Sequence, residues 1–351
     1  PHFNNALGMV NTNLISSYRR ELMAVAMFAI LLTHMNCDFG CFAINRLALC
    51  GQGGVDAFFF LSGFGMYYSG MKKTTLAAFY KKRAVRIFPS FLAIFGIYMY
   101  IKHSFSWQRL FWGGSTLSYW FPTTRKYMFG WFVSTIVLLY ALFPFYFKWF
   151  KQQRWVSTLC GIGVGLALTG LYAYYFLVLH PGGYNQYVLA TSRIPIFFVG
   201  IGYAWFLNNQ PMGCKTHYRR TIEIVVASIA FIAYNMAIDH WGFMNMRNSG
   251  MLYLPFLLIV PGACSLLGLC FETLSRFSLG KIVLKALQQA GTCTLEAYLL
   301  IGVTYGYSTM LCHSTGMSVV NAKIIIAAAT ILLAWTIHKL VSLATKFLKI
   351  A

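Results

Sequence analysis

Long apolar runs separated by short polar and basic segments fill this chain from one end to the other. A helix that crosses a membrane needs about 20 mostly apolar residues. Runs near that length fall at 17–37, 53–70, 85–102, 128–147, 155–178, 194–208, 221–239, 250–271, 290–312 and 322–345. Lipid offers the backbone no hydrogen bonds, so each run must satisfy its own amides by coiling. The pattern predicts an all-α polytopic membrane protein with about ten transmembrane helices and both termini on one side. No segment is long enough to separate two domains, so a single transmembrane domain over residues 1–351 with no appended soluble domain is expected. The first run carries His34 where a cleaved leader would have small residues, and it is expected to stay as a span.

Composition agrees: 58% of residues are hydrophobic, 18% aromatic and only 10% charged, against about 25% charged in soluble domains. The 28 Lys and Arg against 7 Asp and Glu give a net charge of +21. In a soluble chain that excess would point to nucleic acid. Here most basic residues fall in alternate loops, which places both termini in the cytoplasm and makes membrane lipids, not nucleic acid, the expected partner. The nine cysteines contain no CxxC pair and suggest no metal site. Cys37, Cys41 and Cys50 share one loop and could pair if it faces an oxidising space.

Ionisable residues inside spans are costly and mark functional positions by default. His34 sits near the end of the first span. Asp56 enters the second at a comparable depth, and nearness in sequence makes His34 its expected partner. A carboxylate on one imidazole nitrogen would prepare the other as a general base; a plain helix-start acid and an interfacial histidine are equally good readings. Arg20 lies on the same face as His34, about 21 Å along the helix, and as a lone arginine there reads first as a positive-inside anchor. Between the second and third spans, KKRAVRIFP brings Lys81, Lys82, Arg83 and Arg86 into the densest basic block of the chain, with Pro89 in the first turn of the following span. Paired guanidiniums suit phosphate, and lipid headgroups offer the competing explanation. Arg193 opens the sixth span. Glu296 lies in the ninth, with Lys281 or Lys285 as possible partners; a structural ion pair explains either as well as function does.

Together these residues resemble the acyltransferase-3 family of integral membrane acyltransferases. The most specific part is Val55-Asp56-Ala57-Phe58-Phe59-Phe60-Leu61-Ser62-Gly63-Phe64 followed by Arg83-Ala84-Val85-Arg86 and Pro89. His34, Trp131-Phe132-Val133-Ser134, Tyr140, Pro144, Arg193-Ile194-Pro195, Gly291 and Thr294-Leu295-Glu296-Ala297-Tyr298-Leu299 follow in family order. The family's spacing would put its first-span arginine at Met23, so Arg20 comes one helical turn early.

The resemblance implies an O-acyltransferase, commonly O-acetyl, that uses acetyl-CoA or another acyl-CoA as co-substrate with no tightly bound cofactor or metal. The acceptor would be a hydroxyl of a carbohydrate or glycolipid of the cell envelope, and the site the bacterial cytoplasmic (inner) membrane. It implies His34 as the catalytic base and Arg83 and Arg86 at the acyl donor; the reading of the residues themselves adds Asp56 to the catalytic site and Lys82 and Arg20 to the donor site. Arg193, Glu296, Trp131 and Tyr298 are substrate-contacting or structural. The competing class is a transporter or flippase of an envelope precursor; the absence of duplicated halves speaks against it.

Overall fold

The computed structural model describes residues 13–180, 186–210 and 215–347, and every regular element among them is helical. The helices that build the bundle are α1 (Arg19–Met35), α2 (Phe42–Cys50), α3 (Gly53–Met71), α4 (Leu76–Ile101), α5 (Trp131–Gln152), α6 (Arg154–Tyr174) and α7 (Ile194–Asn208). They continue with α8 (Lys215–Trp241), α9 (Phe256–Leu274), α10 (Ser278–Ala290), α11 (Thr294–Thr304), α12 (Tyr307–Thr315) and α13 (Val319–Phe347).

Seven helices among the described residues are long and apolar enough to cross a membrane, and there are eight if α2 and α3, bent by 43° at their junction, count as one span. Each of the ten expected runs contains helix, but two fall short of a regular span. The helix α1 has 17 residues because Asn36 takes a left-handed conformation, φ 43°, and ends it. The ninth run breaks at Tyr305–Gly306 into α11 and α12. The third run begins earlier than its apolar residues imply. Thr75 accepts a hydrogen bond from the Ala78 amide and starts α4 there, so the whole basic block is helical and Pro89 lies inside the helix.

Two glycines set the centre of the bundle. A Cβ on Gly63 of α3 would lie 2.0 Å from the Phe197 carbonyl oxygen, and one on Gly200 of α7 would lie 2.2 Å from that of Phe60. The two backbones therefore touch directly, as small residues permit where helices cross in a membrane. Asp56 precedes Gly63, and Arg193 precedes Gly200, by the same two helical turns. The crossing thus brings the acid at the head of α3 beside the arginine at the head of α7.

Candidate functional site

At the end of the bundle where α1 finishes and α3 begins lies a cavity of about 950 Å³. His34, Gln52, Trp131, Arg193, Arg247 and Tyr298 are among its lining residues. The His34 Nδ1 is 2.8 Å from the Ile30 carbonyl oxygen. A carbonyl can only accept, so this bond selects the tautomer with its proton on Nδ1 and leaves the Nε2 lone pair as the imidazole's base. Tyr305 meets the imidazole edge-on at 6.4 Å, and its hydroxyl donates to the Leu31 carbonyl at 3.1 Å. Lys323 of α13 donates to the Met35 carbonyl and, at 3.1 Å, to that of Asn36. These bonds satisfy carbonyls that the end of α1 leaves open. In the loop after α1, the Asp38 carboxylate accepts from Asn45 Nδ2 at 2.6 Å and the Gly40 amide at 2.9 Å. The Asn45 amide chiefly, and the Gly40 amide with it, hold its pKa below the usual carboxylate range, so it brings negative charge to the rim.

Asp56 is not the partner of His34. Its Oδ1 lies 3.7 Å from Arg193 Nε, and both side chains are buried, with residue exposures of 1%. Arg193 also donates from Nη1 to the Leu189 carbonyl at 3.1 Å and to Ser192 Oγ at 3.0 Å. Its guanidinium carbon sits 3.3 Å from the centroid of Tyr253 and 5.5 Å from that of Trp131. A positive charge at the head of α7 opposes the helix dipole there; Asp56 offsets it. Sequence nearness pointed to His34, but the glycine crossing of α3 and α7 decides the pairing.

A second, narrow cavity of about 130 Å³ lies deeper, lined by Met23, Ser62, Arg86, Tyr140, Glu296 and His338 among others. Tyr298 lines both cavities. Phe132 packs on Tyr298 at 5.1 Å and on Phe58 at 5.9 Å, and both phenylalanines line the narrow cavity. Tyr298, backed by Phe132 and Phe58 on the narrow side, thus forms an aromatic partition that the two spaces share. Glu296 does not pair with Lys281 or Lys285. It accepts from Ser90 Oγ at 2.6 Å and faces His338 Nδ1 at 2.9 Å. His338 is an ionisable residue inside the last span, which was the available signal for it.

The arginine of α1 that joins the basic group is Arg19, not Arg20. Arg19 donates from Nε and Nη2 to the Leu61 carbonyl at 3.2 and 2.9 Å, and Arg86 and Arg83 are its electrostatic neighbours. Arg20 is exposed, as is Lys82. Arg19 lies one turn before Met23 on the same face of α1, and Met23 lines the narrow cavity. Arg83 donates to Ser69 Oγ at 2.6 Å and lies over Phe79 and Tyr140, each at 5.4 Å. Cys37, Cys41 and Cys50 are all free thiols, and no cluster of three or more His, Cys, Asp or Glu side chains suited to a metal occurs among the described residues.

Residues 22–339 match a family model described as an acyltransferase domain. No curated protein and no solved structure matches the chain.

Proposed function

The chain belongs to this acyltransferase family, and we propose that it transfers an acyl group, acetyl by default, from acyl-CoA to a hydroxyl of a cell-envelope carbohydrate or glycolipid, in the bacterial cytoplasmic membrane. One observation carries the reading: a wide cavity bearing His34 and a narrow, arginine-bearing cavity share a single residue, Tyr298. The acceptor enters the wide cavity. The donor comes from the cytoplasmic end, its phosphates near Arg83, Arg86 and Arg19, its acylated arm in the narrow cavity and its thioester at the aromatic partition.

In the transfer, His34 Nε2 takes the proton of the acceptor hydroxyl as that oxygen attacks the thioester carbonyl carbon. A C–O bond forms and the C–S bond breaks. The thiolate leaves as CoA and receives the proton that His34 took, so atoms and charge balance without an acyl-enzyme. Asp56 acts through Arg193 by holding it on the wall of the acceptor cavity, and Trp131 supplies an aromatic face there.

The test is transfer of labelled acetyl from acetyl-CoA in membranes, together with CoA release on addition of envelope glycan. Acceptor-dependent CoA release, lost in His34→Ala, is expected. Release that does not depend on acceptor, or full transfer by His34→Ala, would overturn the assignment. Movement of an envelope precursor across the membrane without CoA release would favour a transporter.

A further inference from the structure

The helix α10 has 13 residues, which give it about 20 Å of length. That is short of the roughly 30 Å hydrocarbon core of a bilayer. Both of its ends rest on the ends of spans. A Cβ on Gly280 would lie 2.0 Å from the carbonyl oxygen of Leu274, the last residue of α9. One on Gly291 would lie 2.1 Å from that of Arg20, in the first turn of α1. Those two span ends stand side by side, since the Tyr18 ring meets Phe271 edge-on at 5.7 Å and Gly268 abuts Leu14. The helix therefore lies across one end of the bundle, along the plane of the membrane and not through it.

Three sides can be told apart on α10. Gly280 and Leu284 are buried against the bundle. Leu279, Ile282, Val283 and Ala286 recur at i, i+3, i+4 and i+7 and form one apolar stripe. All four are exposed, Leu279 by 73% and Ile282 by 66%. Lys281, Lys285 and Gln288 are exposed as well. At about 100° per residue, the centre of the stripe stands roughly 130° from the buried pair and roughly 140° from these polar residues. A helix held only by protein would turn its stripe to the bundle; this one turns it outward. The stripe continues the outer surface of a span, because Leu266 and Leu274 of α9 and then Phe277 are exposed ahead of it.

We infer that α10 is an in-plane anchor seated in an anionic lipid surface, its stripe among the acyl chains and its lysines towards headgroups and water. Residues 275–290 hold Arg276, Lys281 and Lys285 and no acid. That charge suits anionic headgroups and repels a second copy of the same helix. The inference needs the membrane-spanning architecture and does not depend on the acyl-CoA reading. The seat also bears on the narrow cavity, because Gly291, Thr292, Thr294 and Leu295, directly after α10, line it. The depth of α10 in the leaflet thus fixes where that wall stands.

The experiment uses the wild-type protein in nanodiscs of phosphatidylcholine and phosphatidylglycerol. A small fraction of the phosphatidylglycerol carries a diazirine on its acyl chain, close to the glycerol. Photolysis expels N2 and the carbene inserts into neighbouring bonds, and peptide mass spectrometry locates the adducts. Water-soluble amine reagents, one of them bifunctional, mark the lysines in parallel. Adducts on Leu279, Ile282 and Val283 are expected on the order of tenfold above those on Lys281 and Gln288, with both lysines open to the amine reagent. The exposed Leu340 and Leu343 of α13 serve as the positive control for the lipid probe. Adducts on α13 with none on the α10 stripe overturn the seat, as does an even spread around α10. Lysine cross-links that join α10 of two copies overturn it too and assign the stripe to self-association.

Discussion

The two ends of the bundle are built on opposite electrostatic plans. At the His34 end, charge is compensated: Asp56 faces Arg193, Asp38 stands at the cavity rim with Asn45 and Gly40 bound to it, and Lys323 caps α1. At the Arg83 end, Arg19, Arg83 and Arg86 crowd together, and Lys72, Lys73, Lys148 and Lys151 line a cavity with no acid among its lining residues. Compensated charge lines a large cavity without demanding an anion. Uncompensated charge is tolerable at a membrane protein's end when an anion is regularly supplied. The contrast fits a neutral, hydroxyl-rich acceptor at one end and a multiply phosphorylated donor at the other.

The largest effect expected from breaking this contrast is at the base. His34→Ala should lower transfer by about 100- to 10,000-fold while the protein remains folded by gel filtration. His34→Gln, which keeps a hydrogen bond but no basic nitrogen, should be as inactive.

Next is the buried pair. Asp56→Ala leaves the Arg193 charge buried and alone, at a cost of about 3–5 kcal/mol, visible as a lower detergent melting temperature and less folded protein. Asp56→Leu/Arg193→Leu should recover much of that stability without recovering transfer. A double variant as unstable as the sum of its single variants would show that the two side chains do not interact.

Smaller again is the arginine choice. Arg19→Ala should raise the KM for acetyl-CoA on the order of tenfold, as expected for loss of one charge near a phosphate. Arg20→Ala, at an exposed position, should not change it measurably. Equal effects from the two would break the assignment drawn from the Leu61 hydrogen bonds.

Apolar run length and the ionisable residues within runs were enough to place most helices and to bring His34 and Asp56 to one end. Partner choice was harder to read. The Asp56–Arg193 pair depends on where α3 and α7 cross, and the only trace in the sequence is the equal spacing from each charge to its glycine, Gly63 or Gly200. Arg19 and Arg20 differ by about 100° of helical rotation, so deciding between them needs the direction of the neighbouring helix. His338 lies inside the last span, and its partner Glu296 is 42 residues away on another helix, so only the packing of α11 against α13 brings the two together. The cavities are properties of several helices together, and no single run encodes them.

The contact between Lys323 and the end of α1 has a consequence for how the protein is made. The helix that carries His34 is made well before α13, from which its last carbonyls receive their donor. Until α13 is made, the histidine is present but its helix end lacks that donor. Synthesis of α13 supplies the bond, so a product stopped before Lys323 would carry the base on a helix end that lacks this donor.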